Sequence, residues 1–235
     1  MAPTPAPPFG LLRLASPADI LRIGIVAAAG FRYSPVFDWE RPKHAKFPQD
    51  TLLSYRHEFS SVIKSPEHIV LIATDKFDPN EGEKTSAIIP PDNGWVAPKP
   101  DDGDEGPSKN DDAPYPELPE NPKRDMDKDH CDALDECCEA AEERHFQGLA
   151  TMEMVVVHPA YWRRGHGGRL ARWGIDLAKL DEVCQGVIAA KMGKSLYLSL
   201  GYENLEDLHL DGDEVVPQGV DVSVMQYHAK SDSRP

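Results

Sequence analysis

The chain has 235 residues, 40% of them hydrophobic, enough to enclose one sizeable core. Its formal charge of −15 argues against nucleic-acid binding, and no apolar run approaches the length of a membrane span. Four irregularly placed cysteines make no disulfide framework, and the opening MAPTPAPPFG lacks the charged and apolar regions of a secretion signal, so a reduced, cytoplasmic protein is expected.

In chain order, residues 1–8 are rich in proline and alanine and are expected to be a flexible tail, as are residues 230–235. One domain is expected over 9–230. Phe9 to Ala15 reads as a first strand. Ser16-Pro17-Ala18-Asp19 is a helix start, with a serine cap, proline in the first turn and an acid soon after. Ile20, Ile23 and Val26 then recur on one helix face. Residues 31–47 hold two prolines and several aromatics and read as irregular. Asp50 to Ile63 reads as a second helix, and His68 to Ala73 as a strand.

Residues 75–130 break this pattern with Pro, Gly, Asp and Glu. Such a stretch buries too little apolar surface to offset its chain entropy, so a disordered acidic insertion is expected. Residues 75–144 carry 22 acidic and 8 basic side chains, nearly the whole net charge of the chain. The best candidate for a strand inside the insertion lies within Ser86 to Ala97. Asp132 to His145 reads as an acidic helix. Its Cys137 and Cys138 point to different faces, and no C-x-x-C spacing occurs, so no metal site is expected.

Thr151 to Val157 is rich in β-branched residues and reads as a strand, stopped by Pro159. A basic glycine-rich turn, Arg163 to Gly168, leads into a helix marked by Leu170, Trp173, Leu177 and Leu180. Converging backbone N–H groups and the positive helix end make such a turn an anion site. Its spacing fits neither a P-loop nor a dinucleotide fingerprint. Beyond it, strands are expected near Val187-Ile188, over Tyr202 to Leu210 and over Val220 to His228, with a helix from Met192 to Leu200.

The turn and its strand resemble motif A of the GNAT acyltransferase superfamily. That motif has a strand ending in V-x-P-x-Y, then [Q/R]-x-x-G-x-[G/A], then a helix. Val157-His158-Pro159-Ala160-Tyr161 matches the first part. Trp162-Arg163-Arg164-Gly165-His166-Gly167 matches the second, with tryptophan at the usual Gln/Arg position. Residues 193–202, GKSLYLSLGY, resemble the superfamily's later G-x-x-L-Y…L-G-[F/Y] motif. The chain looks most like fungal members that share V-H-P-A-Y and R-R-G-H-G.

The resemblance implies an α/β (α+β) fold with a mixed, mostly antiparallel sheet, splayed where CoA enters, and helices on both faces. It implies acetyl-CoA as donor, with its pyrophosphate on Arg163, Arg164, Gly165, His166, Gly167 and Gly168, and its pantetheine along Val155, Val156 and Val157. Arg169 adds charge to the turn. Tyr197 takes the place of the tyrosine that protonates the departing thiolate. By analogy Tyr33, Phe37 and Trp39, with Glu40, are candidate acceptor contacts; core packing explains each of the aromatics equally well.

Glu153 is the leading candidate base, because strand alternation places Thr151, Glu153, Val155 and Val157 on one face, where burial would raise a carboxylate's pKa. His158 is the alternative base, although its place at the strand end beside Pro159 favours a structural role. The expected activity is N-acetyltransfer to a primary amine of a small molecule. The alternatives are transfer to a protein, peptide or polyamine drawn by the acidic segment, or acyl-CoA binding without catalysis.

Overall fold

In the computed structural model, residues 5–86, 89 and 114–229 are described. Strand β1 (Leu12–Leu14) pairs antiparallel with β2 (Leu71–Ala73), Leu12 opposite Ala73. Ser16 opens a short 3-10 turn through a capping box with Asp19, and α1 (Ile20–Phe31) follows. Between it and α3 (Pro48–Lys64) lies a helix the sequence reading left irregular, α2 (Pro35–Glu40). Its start signal is the same Ser-Pro pair that opens residue 16: Ser34 Oγ accepts from Val36 N at 3.3 Å, and proline takes the first helical position.

The second sheet has the order β3-β4-β6-β5. Strand β3 (Ala150–Thr151) runs parallel to β4 (Gln185–Ala190). The pairs of β4 with β6 (Val220–Tyr227), and of β6 with β5 (Glu203–Leu210), are antiparallel. Alternation along β4 and β6 sorts the core into two faces. Ile188, Val220, Val222 and Val224 pack with Trp39 of α2 and with Leu134 and Ala141 of α5 (Lys128–His145). Val187, Ala189 and Met225 pack with Ala171 and Ile175 of α6 (His166–Leu180) and Tyr197 of α7 (Lys191–Ser199). The mixed sheet with helices on both faces is therefore present.

Three expectations are corrected. The strand over 151–157 stops at Thr151: Met152 N still donates to Gly186 O at 2.9 Å, but Met154 has φ +51° and ends the alternation. From there the chain leaves β4, and the two segments splay. Gly30 of α1 lies directly behind, where a Cβ would come within 2.3 Å of Val156 Cγ2 and 2.8 Å of Val157 O.

The flanks of the acidic segment are ordered. Helix α4 (Glu81–Ser86) buries Glu81 and Thr85 completely. Glu81 pairs with Arg22 and Tyr161, and Arg41 pairs with Asp125 at 2.5 Å. Arg124 pairs with Asp50 at 2.8 Å. A composition argument weighs apolar burial, and these flanks are fixed mainly by ion pairs. The remainder of the segment, including most of the Ser86–Ala97 candidate strand, lies outside the described residues.

The opening tail is corrected in part: Pro7 is buried, its carbonyl accepts from Trp173 Nε1 at 3.2 Å, and Phe9 stacks on Trp173 at 5.5 Å. Residues 1–4 and 230–235 lie outside the described residues. No described helix is long and apolar enough to cross a membrane.

Candidate active site

The splay after Met152 opens a cleft of about 1040 Å³. One wall is Val155–Val157 and the other is Val187–Ala190 of β4. Among the described residues no group accepts from the N–H of Val155, Val156 or Val157. Outside the sheet ladder this edge keeps unpaired backbone donors, which is how a strand edge can hold an extended amide-bearing chain.

At one end the cleft meets the turn before α6. Arg163 (φ +65°) and Gly165 (φ +84°) are both left-handed there. Gly165 adopts that shape without strain and caps the helix. Among the described residues no acceptor takes the N–H groups of residues 163–168. Residues 163 and 165–168 line the cleft here, and such a nest of unpaired backbone N–H groups at a helix N-terminus suits a phosphate or pyrophosphate.

The side chains of the turn are placed differently from the expectation. Arg164 turns away from the nest to Asp75 (3.3 Å) and Asp78. Asp75 also holds the buried ring of His166 at 2.8 Å. Arg169 donates to Arg164 O at 2.8 Å and meets His166 Nδ1 at 3.2 Å. Arg163 is exposed. Arg164, His166 and Arg169 thus brace the turn, and the nest itself is backbone. Trp162, at the position where the family has Gln or Arg, donates Nε1 to Val157 O at 2.7 Å and ties the turn to the strand end.

His158 belongs to the bracing as well. It is 2% exposed; its Nδ1 accepts from Ala160 N at 3.2 Å, which leaves Nε2–H to donate to Thr85 Oγ1 at 2.9 Å. Burial lowers its pKa to about 4, so it stays neutral at physiological pH and does not line the cleft. Tyr161 donates to Glu81 and accepts from Asp78 N at 3.1 Å; burial, then the Glu81 bond, raise its pKa to about 12.

Tyr197 lines the cleft from α7. It is 5% exposed and packs edge-on against Tyr202 at 5.2 Å. Burial pushes its phenol up to about 12, so it carries its proton at neutral pH.

The far end of the cleft is enclosed by α2, α3, Met126 and α5. Phe37, Glu40, Arg41, Tyr55, Glu58, Leu134 and Cys138 line it. Of the three aromatics expected here, only Phe37 reaches the cleft. Tyr33 is exposed and packs edge-on against Trp162 at 5.0 Å, beside a separate shallow pocket. Trp39 is buried behind α2, stacked on His130 at 4.0 Å, with Nε1 donating to His130 O at 2.8 Å. Glu153 is exposed, accepts from Thr151 Oγ1 at 3.1 Å and is absent from the cleft wall. The kink at Met154 is the reason, since it cancels the alternation that placed Glu153 beside Val155.

Met126 and Glu58 were missed by sequence reasoning. The Ser34-Pro35 start could have placed Glu40 on a helix, but no local signal brings Glu58 or Met126 beside it. Burial raises the pKa of Glu40 to about 7, opposed by Arg41 and reinforced by Asp135 and Glu58. Burial raises Glu58 too. Cys138 is driven to about 12, again by burial, and is no nucleophile. No group of three or more His, Cys, Asp or Glu side chains among the described residues is placed to hold a metal ion.

No family model matches the chain. It is 31% identical over 240 residues to an acetyltransferase of Stachybotrys chartarum, an alignment covering 96% of this chain and 94% of that protein. A crystal structure of histone acetyltransferase HPA2 and related acetyltransferase from Corynebacterium glutamicum aligns over 95% of this chain and 98% of that one, at TM-score 0.44 and 17% identity.

Proposed function

The chain belongs to the GNAT family of acetyltransferases, and on that premise we propose that it moves the acetyl group of acetyl-CoA to a primary amine of a small molecule. The transfer is a direct attack with both substrates bound. The observation that carries this reading is the single cleft, with a backbone anion nest at one end and an enclosed, carboxylate-bearing chamber at the other. The pyrophosphate sits on the N–H groups of residues 163–168, with no help required from Arg164. The pantetheine runs along the free edge at Val155–Val157. The N–H of Val155 meets the oxygen that becomes negative as the amine attacks. Tyr197, which lines the same cleft, gives its proton to the departing thiolate. The chamber has side-chain walls on α2, α3 and α5, which suits a compact acceptor better than an extended peptide. The four free cysteines support a reducing, cytoplasmic setting.

Calorimetric titration with acetyl-CoA, followed by free-thiol release over a panel of primary amines, tests the reading. Saturable binding and amine-dependent release are expected. A folded protein that does not bind acetyl-CoA ends it.

A further inference from the structure

Acetyl transfer to an amine needs a group that removes a proton, because a primary amine near its ordinary pKa of about 10 is an ammonium ion at neutral pH and has no free lone pair. Among the described residues the donor half of the cleft offers no free group of this kind: the His166 ring is held by Asp75 at 2.8 Å and meets Arg169 at 3.2 Å. Tyr197 keeps its proton, His158 has both ring nitrogens engaged, and Glu153 faces solvent. At the acceptor end, Glu40 lines the cleft as the last residue of α2. Its backbone is pinned: Asp127 N donates to Glu40 O at 2.8 Å and Cys131 Sγ approaches the same oxygen at 3.8 Å. Its carboxylate is different, because among the described residues none donates a hydrogen bond to it. A fixed backbone beneath an uncommitted carboxylate that faces a chamber is the geometry of a group kept for a ligand's proton.

We propose that Glu40 is the catalytic base and that the chamber it faces takes a primary amine carrying an alkyl or aryl-alkyl group. This rests on the acetyl-transfer reading above. The apolar part of the acceptor packs on Phe37, Met126 and Leu134, and its nitrogen is presented to Glu40. Glu40 takes one proton from the ammonium, which frees the lone pair. The lone pair forms the C–N bond to the acetyl carbon, and the C–S bond then breaks. The thiolate takes the Tyr197 proton, and the tyrosinate is refilled by the proton leaving the new amide nitrogen. The sum is ammonium plus acetyl-CoA giving amide, CoA thiol and one proton, which Glu40 returns to water.

The charged surroundings set the pH at which this works. Arg41 follows Glu40 just past the end of α2, Tyr55 and Glu58 face it from α3, and Cys131, Asp135 and Cys138 face it from α5. Burial is the largest influence and raises the Glu40 pKa; Arg41 opposes it, and Asp135 and Glu58 add to it. The base form therefore appears as pH rises through about 7.

The test follows thiol release from acetyl-CoA with butylamine, phenethylamine and putrescine, from about pH 5.5 to about pH 9, with binding of acetyl-CoA measured on the same samples. Wild type should show kcat/KM rising to a plateau through a limb near neutrality. Glu40→Gln should lose roughly 10²–10⁴-fold in kcat and lose that limb, with acetyl-CoA affinity unchanged. Glu58→Gln should move the limb to lower pH, because a like charge beside Glu40 is gone. Retained activity and an intact limb in Glu40→Gln would overturn Glu40 alone, as would a loss carried by Glu153→Gln instead, or loss of acetyl-CoA binding together with turnover in Glu40→Gln. No thiol release from any amine by a wild type that binds acetyl-CoA would overturn the transfer reading, and Glu40 with it.

Discussion

The two ends of the cleft are built from different material. The anion turn and the free edge of the donor end come from one unbroken stretch, residues 152–168, which leaves backbone N–H groups unpaired, with β4 and α7 as the facing wall. The acceptor end takes one to three side chains each from α2, α3, the segment before α5, and α5 itself. Its walls are joined by ion pairs between residues far apart in the chain: Arg41 with Asp125, and Asp50 with Arg124. Backbone donors are aimed by turn chemistry, so side chains around the nest can change, as Trp162 has, while the nest persists. A wall of converging side chains has no such protection, and it is the part free to differ between relatives.

Substitutions that strike one end and spare the other sharpen the contrast. The largest effect is expected at Gly165. Gly165→Glu puts a Cβ at φ +84° and a negative charge among the turn's unpaired backbone donors; acetyl-CoA affinity should fall at least about 100-fold by calorimetry. Next is Asp125→Ala. It leaves Arg41, 4% exposed, without its carboxylate, and should cost about 3–5 kcal/mol in urea unfolding. Near room temperature the surviving folded fraction should still bind acetyl-CoA while amine turnover drops. Equal losses at both ends would break the comparison.

Tyr197→Phe should lower kcat about 10–100-fold and leave acetyl-CoA binding nearly intact. An unchanged kcat would take the proton donor out of the scheme.

A pH effect separates bracing from chemistry. The His158 pKa falls on folding, from the ordinary 6.5 to about 4. The unfolded chain therefore takes up a proton that the folded chain refuses. Stability is at its full value above about 6.5 and is lost as pH falls toward 4, by up to ~3 kcal/mol for this group. His158→Gln should flatten that dependence in urea titrations at pH 7 and pH 5, without moving the neutral limb of kcat/KM. The smallest effect is expected from Glu153→Gln, less than about threefold in kcat/KM, since its carboxylate faces solvent.

What was legible in the chain follows the same division. Pro159, the glycines at 165, 167 and 168, and the Leu and Trp spacing after them are local signals. They located the turn and α6. G-K-S-L-Y located Tyr197. Period-2 alternation failed at Glu153 because one left-handed residue, Met154, intervenes, and nothing in T-M-E-M-V-V-V marks it. Beyond Phe37 and Glu40, the acceptor wall was out of reach for another reason. Glu40, Glu58 and Met126 meet only after Arg41 finds Asp125, 84 positions away, and a charge-rich segment reads as solvated until its partners are known.

Trp39 gives the acceptor wall an optical property. Its indole lies face to face with the His130 ring, 4.0 Å apart at an interplanar angle of 13°. His130 reaches Asp213 through Nε2 at 3.0 Å and Trp39 O through Nδ1 at 2.8 Å. Against the downward pull of burial, these two bonds raise its pKa above the ordinary value. A protonated imidazole in face contact accepts an electron from an excited indole and quenches its emission. Trp39 should therefore be dark while α5 is seated on α2 and His130 is charged, and should brighten when pH climbs past that raised pKa or when the two helices part. Glu40 is the next residue along α2, so the fluorescence of one native side chain would report, without any attached label, whether the chamber is assembled.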